Sequence, residues 1–250
     1  SKKIAEGIEG LVMDIKIGNG AFMKTIQEGK ELAALIRDIG ENFNVKCDIV
    51  FTSMDQPLGR YAGLWCEIKE SIDCLRNEGS DDTMEVTFAL GTKLLLQAQI
   101  VSNEDEALKL QQQLIESGHA LEKFLKMVTV HDGSLSDIAS LHTLHLPKEE
   151  TVLSAKKPGY ITNMNTLLIG LAHCELGCGR KKLSDNLDPT AGIEFYHKIG
   201  DQVLEGEPLM RLFNTDKEKL DKALKLLKDS VKIDEKQLQH HLILDDNETN

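Results

Sequence analysis

Apolar residues recur in two different rhythms along the first part of the chain. A short apolar run at residues 11–17 is bounded by glycines, which is typical of a buried strand. Residues 45–52 form a second run of this kind, and between the two runs apolar positions from 22 to 39 recur at helical spacing. This strand–helix–strand order predicts a parallel pair of strands joined by a right-handed crossover.

Helical patterns dominate the next stretch, up to a loop at residues 131–133. Helices are predicted over about residues 63–76 and 82–101, and a third begins after Ser102, where Asp105 three residues later resembles a capping box. The helix over 82–101 is apolar around most of its surface. We therefore expect it to be buried.

The pattern changes after Pro147, which is followed by the charged residues 148–150. Short strands are predicted near residues 160, 193–196 and 208–213, together with helices over 166–174 and 216–231. The predicted fold class is therefore α/β. A partial parallel-sheet α/β domain covers residues 1–147, and an α+β domain with short antiparallel strands and a polar tail covers 148–250. The tail from His240 onward is expected to fray.

The sheet predicted for the first domain is incomplete. Two buried parallel strands are not a stable unit, because a parallel sheet needs more strands and helices on both faces. The remaining strands are either unrecognised within the chain or lie before Ser1. The chain has no initiator Met and enters helical periodicity at once, which favours the second interpretation and predicts that it is part of a longer protein.

Composition argues against several classes of function. The chain has 29 Lys and Arg against 41 Asp and Glu, a net charge of −12, which weighs against a nucleic-acid partner. No apolar run approaches the roughly 18 residues of a membrane helix, so no membrane association is expected. Five cysteines form no even disulfide framework and favour a reducing, cytoplasmic setting. The pairs His142 with His145 and Cys174 with Cys178 lack the further ligands of a zinc site.

Several segments, taken in chain order, resemble the thymidine and pyrimidine-nucleoside phosphorylases. They are Ser1-Lys2-Lys3, Ala5-Glu6-Gly7, residues 11–16, 20–23 and 54–59 with Glu67, Lys69 and Glu70, and, in the second half, residues 176–180, 188–189, 192–193, 198–201 and 206–209. They span about residues 1–213 without a large gap. Each segment alone is a weak signal, and their shared order is a strong one.

The resemblance implies phosphorolysis of pyrimidine (deoxy)nucleosides to free base and pentose 1-phosphate. Phosphate is then a co-substrate, no organic cofactor is needed, and the full-length parent is a homodimer. It also implies that a small helical domain and a phosphate-binding loop with Lys, Ser, Thr and paired glycines precede the point where this chain begins. We therefore expect the chain alone to be inactive.

The resemblance also carries candidate site residues, none of them assigned as catalytic. Lys2 is implied to contact a carbonyl oxygen of the pyrimidine, where a cation stabilises the negative charge of the departing base. Leu58, Tyr61 and Glu70 are implied to hold a monovalent cation, two through main-chain oxygens and Glu70 through its carboxylate. Tyr61 differs from the small residue common at its position, although a main-chain ligand tolerates that change.

Other interpretations stay open on sequence grounds. Lys2 is also compatible with a solvated terminal side chain, and Leu58, Tyr61 and Glu70 with an ordinary loop and a solvated carboxylate. For the chain as a whole, the alternatives are a non-catalytic, truncated structural or interaction module and a related phosphoribosyltransferase.

Overall fold

A computed structural model describes residues 2–133, 141 and 143–245. The helices are α1 (Lys2–Ala5), α2 (Ile26–Asn42), α3 (Trp65–Leu75), α4 (Asp81–Gln97), α5 (Glu104–Glu116), α6 (His119–Val130), α7 (Thr166–Glu175) and α8 (Lys217–Leu227). The strands are β1 (Gly10–Ile17), β2 (Lys46–Ser53), β3 (Tyr61–Gly63), β4 (Glu149–Ser154), β5 (Gly159–Met164), β6 (Gly192–Phe195), β7 (Gln202–Val203), β8 (Pro208–Asn214), β9 (Val231–Asp234) and β10 (Ile243–Leu244).

The predicted parallel pair is confirmed. Strands β1 and β2 run parallel, with α2 as the connection between them. A capping box starts α2, in which the Thr25 side chain accepts from the Glu28 N–H while the Glu28 carboxylate accepts from the Thr25 N–H. The apolar face of α2 packs on the two strands, and the buried core of this layer consists of Ile15, Ile17, Ile26, Ala33 and Phe51.

The third strand of this sheet is β10, which the sequence analysis missed. It pairs antiparallel with β2, with Ile243 opposite Thr52 and Leu244 opposite Phe51. Leu242, just before it, is buried, and its carbonyl accepts from the Ser53 N–H at 2.8 Å. The expectation that the chain frays from His240 onward is therefore wrong for residues 242–244, while residues 246–250 lie outside the described part.

The second half forms two antiparallel sheets, as the sequence predicts. Their strand orders are β3-β6-β8-β4 and β7-β5-β9. Helices α7 and α8 pack against each other, and α8 also packs on β4 and β8, around a large core that includes Ile161, Met164, Ile193, Met210 and Leu212. Strand β3 comes from the first half but pairs with β6, so backbone bonds cross the proposed 147/148 boundary. That boundary stays a prediction.

Three expectations for the helices between β3 and β4 are wrong. Val86 is the buried residue of α4, and Leu94 is 49% exposed, because α4 packs on β1, β2 and α5 but leaves part of its apolar surface uncovered. The third predicted helix is two, α5 and α6, separated at Gly118, which has φ of +78°. Its cap is Asn103 rather than Ser102, and the Asn103 side chain accepts from the Glu106 N–H at 2.9 Å.

The turn after β1 connects the two halves through Asn19. Its side-chain amide donates to the Met164 carbonyl at 2.9 Å, and its side-chain oxygen accepts from the Thr166 N–H at 2.7 Å. Its backbone N–H donates to Asp55 Oδ1 at 2.7 Å. The segments that follow β1 and β2 are therefore fixed to each other and to the start of α7.

Candidate functional site

The segment between β2 and β3, residues 54–60, is the centre of the candidate site. It follows the carboxyl end of a parallel strand, which is where open α/β sheets usually bind ligands. We call it the 54–60 loop. Two polar groups bind it, the buried Glu70 on α3 and the partly buried Lys198 between β6 and β7.

Glu70 binds the backbone at the end of the loop. Its carboxylate is buried, with the residue 9% exposed. Oε1 accepts from the Arg60 N–H at 2.6 Å and from the Ser80 hydroxyl at 3.2 Å, and Oε2 accepts from the Tyr61 N–H at 3.1 Å. A carboxylate offers about four acceptor positions. Three are used here, so capacity for one further donor or cation remains.

Gly59 lets the loop lie directly over this carboxylate. Its φ is +74°, a conformation that side chains disfavour. A Cβ there would also lie 2.8 Å from Glu70 Oε2 and 2.9 Å from Thr83 Oγ1. The backbone therefore approaches Glu70 as closely as it does only because residue 59 has no side chain.

Lys198 binds the other side of the loop. Its ammonium donates to the carbonyl oxygens of Pro57 and Gly59 and lies 3.2 Å from Asp82 Oδ2, which also accepts from the Gly59 N–H at 3.0 Å. Burial alone would raise the pKa of Asp82, but the Lys198 ammonium, the Ser80 hydroxyl and the Gly59 N–H hold it below its usual value. Burial lowers the pKa of Lys198, and Asp82 opposes that shift.

A cleft of about 580 Å³ opens beside these groups. Glu194 on β6 lines it and accepts from the hydroxyls of Tyr61 and Tyr196, at 3.0 and 3.2 Å, and from Arg211 Nε at 2.8 Å. Burial and the Glu194 carboxylate raise the pKa of Tyr61 well above its ordinary value. The Tyr61 phenol therefore remains a protonated donor at neutral pH. The cleft thus offers fixed hydroxyl, carboxylate and cationic groups to a polar ligand.

Three of the four predicted site residues lie close together. Leu58 belongs to the 54–60 loop, Tyr61 follows it, and Glu70 accepts from the Tyr61 N–H. Of the three ligands that the resemblance implies, Glu70 has the chemistry that a hard monovalent cation requires, because its carboxylate keeps an unused acceptor position. The interpretation of Glu70 as a solvated carboxylate is wrong, since the residue is buried.

Lys2 is the fourth predicted residue and lies apart from them. It is exposed on α1, before the amino end of β1, and its neighbour Ser1 lies outside the described residues. Within the described part of the chain, no hydrogen bond or ion pair joins Lys2 to Leu58, Tyr61 or Glu70. Its role toward a pyrimidine stays a prediction.

Neither a cluster of metal ligands nor a membrane-spanning helix occurs in the described ranges. These ranges contain no group of three or more His, Cys, Asp or Glu suited to a metal ion, and His142 of the pair considered above lies outside them. No helix there is both long and apolar enough to cross a bilayer.

Sequence reasoning missed Lys198, Asp82 and Ser80. Lys198 opens the segment Lys198-Ile199-Gly200-Asp201, which carries part of the resemblance, but its partners lie 116 to 141 positions away along the chain. Asp82 stands in the first turn of α4, where an acidic residue already has a local explanation in the helix dipole. Neither pattern in the sequence indicates the contact between them.

Comparison with known proteins supports the resemblance in both halves. Residues 1–121 match the family described as "Glycosyl transferase family, a/b domain", and residues 160–234 match "Pyrimidine nucleoside phosphorylase C-terminal domain". The chain is 35% identical over 233 residues to a pyrimidine-nucleoside phosphorylase of Staphylococcus haemolyticus. The aligned residues make up 93% of this chain and 54% of that protein. Two Staphylococcus aureus proteins of the same name are 36% identical over the same extent. The chain thus spans about half the length of the curated relatives it matches.

Proposed function

The chain belongs to the pyrimidine-nucleoside phosphorylase family, and we propose that it forms part of an enzyme that cleaves pyrimidine nucleosides with phosphate. The products are the free base and a pentose 1-phosphate. The observation that supports this most strongly is the similarity over 93% of the chain to proteins that carry this name. The polar groups around the 54–60 loop are compatible with it, because charged side chains line a cleft beside the loop.

In this proposal the chain contributes a contact to the base and a cation site. Lys2 contacts a carbonyl oxygen of the pyrimidine and stabilises the negative charge on the departing base. The carbonyl oxygens of Leu58 and Tyr61, with the Glu70 carboxylate, hold a monovalent cation. Glu70 suits this role because its carboxylate is already fixed by the N–H groups of Arg60 and Tyr61.

We further propose that the chain alone has negligible phosphorolytic activity. Phosphate is a multiply charged nucleophile and must be held in line by N–H, hydroxyl and cationic donors. The sequence of this chain contains no glycine-rich phosphate loop. Loss of such positioning forfeits on the order of 7 kcal/mol of barrier reduction. The enzyme is proposed to act as a cytoplasmic homodimer. The five cysteines of this chain are all free thiols, which suits a reducing compartment.

The test is phosphate-dependent release of base from thymidine and uridine, followed by ultraviolet difference spectroscopy. The 250-residue chain is assayed alone and joined to the portion of its relatives that it does not match. We expect turnover only for the joined protein, and a loss of at least tenfold in kcat/KM on Lys2→Ala. The exposed Lys156 supplies the control variant, Lys156→Ala, which should retain the parent rate.

Three results would contradict the proposal. Turnover by the isolated chain would show that it needs no further phosphate-binding groups. A joined, folded protein with no activity on either nucleoside would favour the non-catalytic module. Consumption of free base together with phosphoribosyl pyrophosphate, giving a nucleotide and pyrophosphate, would favour a phosphoribosyltransferase.

A further inference from the structure

The Lys198 ammonium sits in a site made of three oxygen atoms. Two are the carbonyl oxygens of Pro57 and Gly59, and the third is Oδ2 of Asp82, at 3.2 Å. An ammonium has three N–H donors and no acceptor. Each donor therefore has one acceptor, and the side chain is only 20% exposed.

Two carbonyl oxygens and a carboxylate are also the ligands that a small, hard cation prefers. Lys198 reaches them from the second half of the chain, whereas all three oxygens belong to the first. The ammonium also lies over the Phe195 ring, 5.5 Å from its centroid. The neighbouring Ile199 N–H donates to the Gln56 side chain at 2.8 Å, so the same segment holds the loop at a second point.

We propose that Lys198 is a tethered monovalent cation, which fills an oxygen site on the 54–60 loop and so positions the backbone that carries Leu58 and leads into Tyr61, opposite the Glu70 carboxylate of α3. The charge is the essential property. Without it, the partly buried Asp82 carboxylate loses its ion-pair partner, and the carbonyl oxygens of Pro57 and Gly59 lose their shared donor. This inference concerns the loop of the chain itself and does not depend on phosphorolysis.

The proposal predicts that a free cation can replace the side chain. In Lys198→Ala the three oxygens and the space of the stem remain, so a small cation can enter and contact them directly. Methylammonium, through its N–H donors, or K⁺, by direct coordination, should then restore the loop, whereas tetramethylammonium should not, because its methyl groups keep the charge away from the oxygens. A role of Lys198 through apolar packing alone would not respond to any of these ions.

The experiment measures amide hydrogen exchange of Gly59, Arg60 and Tyr61 in the 250-residue chain. We expect Lys198→Met and Lys198→Ala each to accelerate exchange at these amides at least tenfold. The control Lys156→Met removes another lysine that donates to a main-chain carbonyl, that of Lys228, and should change the rates less than twofold. Addition of 100 mM methylammonium or KCl to Lys198→Ala should bring exchange within about threefold of the parent chain. Equal rescue by tetramethylammonium, or none by any ion, would overturn the proposal.

A second pair of variants keeps the test decisive if Lys198→Ala fails to fold. Asp82→Asn retains the shape of the site but removes the charge that Lys198 faces, and should accelerate exchange about fivefold. At Arg60 and Tyr61, whose N–H groups donate to Glu70, the double variant Asp82→Asn/Lys198→Met should exchange no faster than Lys198→Met alone, because both changes break the same contact. Gly59 is left out of this comparison because its N–H donates to Asp82 directly. Additive acceleration would show that the two groups act independently and would refute the tethered cation.

Discussion

The Glu70 carboxylate gives the most direct test of how the 54–60 loop is held. Glu70→Gln preserves size and shape but replaces one of two acceptor oxygens with an NH₂ group. The Arg60 and Tyr61 N–H groups donate to different oxygens of this carboxylate, at 2.6 and 3.1 Å. In the variant, one of the two N–H groups must therefore face the NH₂ group, which is itself a donor. A hydrogen bond to a charged group contributes about 1.5–3 kcal/mol, and an unsatisfied buried donor costs about 1–3 kcal/mol.

We therefore expect Glu70→Gln to reduce the free energy of unfolding by about 2–3 kcal/mol. For a chain of this length each kcal/mol lowers Tm by roughly 2–4 °C, so the expected fall is about 5–10 °C. Thermal and urea unfolding, monitored by circular dichroism, measure it. The matched control is Glu67→Gln on the same helix, where an exposed carboxylate accepts from the Gly63 N–H at 2.8 Å and an amide oxygen can replace it. We expect that change to cost less than about 1 kcal/mol.

The opposite outcome has a clear physical meaning. Removing a buried charge also removes its desolvation cost, which in some proteins exceeds the gain from its partners. If Glu70→Gln left Tm unchanged or raised it, the carboxylate would be a net cost to stability, and the loop would be held mainly from the Lys198 side. An equal fall in Glu70→Gln and Glu67→Gln would show that burial of Glu70 adds nothing.

Three further changes test other parts of the structure. Gly59→Ala should destabilise the chain by about 2 kcal/mol or more in urea unfolding, because φ of +74° and a Cβ 2.8 Å from Glu70 Oε2 both oppose a side chain. The control is Gly206→Ala, where φ is +82° but the space around the Cβ is open, and it should cost about half as much free energy of unfolding. Truncation after residue 240 should remove β10 and raise the rate of amide hydrogen exchange in β2, whereas truncation after residue 245 should leave that rate unchanged. Equal exchange rates of β2 in the two truncated chains would contradict the pairing. Burial lowers the pKa of His240, so the unfolded chain binds more protons than the folded chain once the pH falls below about 6.5. The free energy of unfolding should therefore decline as the pH falls from that value through the folded-state pKa. The decline should be smaller in His240→Phe, and parallel pH profiles of stability for the variant and the parent would refute this.

The sequence predicted the elements whose hydrophobic pattern has one simple explanation. Strands β1 and β2 are short apolar runs bounded by glycine or polar residues, and α8 has a single apolar face, so periodicity alone identifies them. It failed for α4, where apolar residues on several faces suggested burial although Leu94 is 49% exposed. It also failed for β10, since a strand of two residues is too short to have a period.

The candidate site was predicted only in the part that neighbouring residues define. Leu58, Tyr61 and Glu70 lie within 13 consecutive positions, and a resemblance located them together. The contact between Lys198 and Asp82 joins residues that lie 116 positions apart in the sequence. No local sequence pattern indicates which carboxylate a distant lysine will contact. Such a contact exists only after both halves have folded against each other.

The pairing of β10 with β2 has a consequence for synthesis of the chain. Ile243 and Leu244 meet residues that were made about 190 positions earlier. At a translation rate of roughly 5–20 residues per second, the outer edge of β2 waits about 10–40 seconds for its partner. An open strand edge is a template for pairing with other chains. During that interval, nascent copies on one messenger are at their greatest risk of associating through β2, and chaperone contacts on the ribosome should concentrate there.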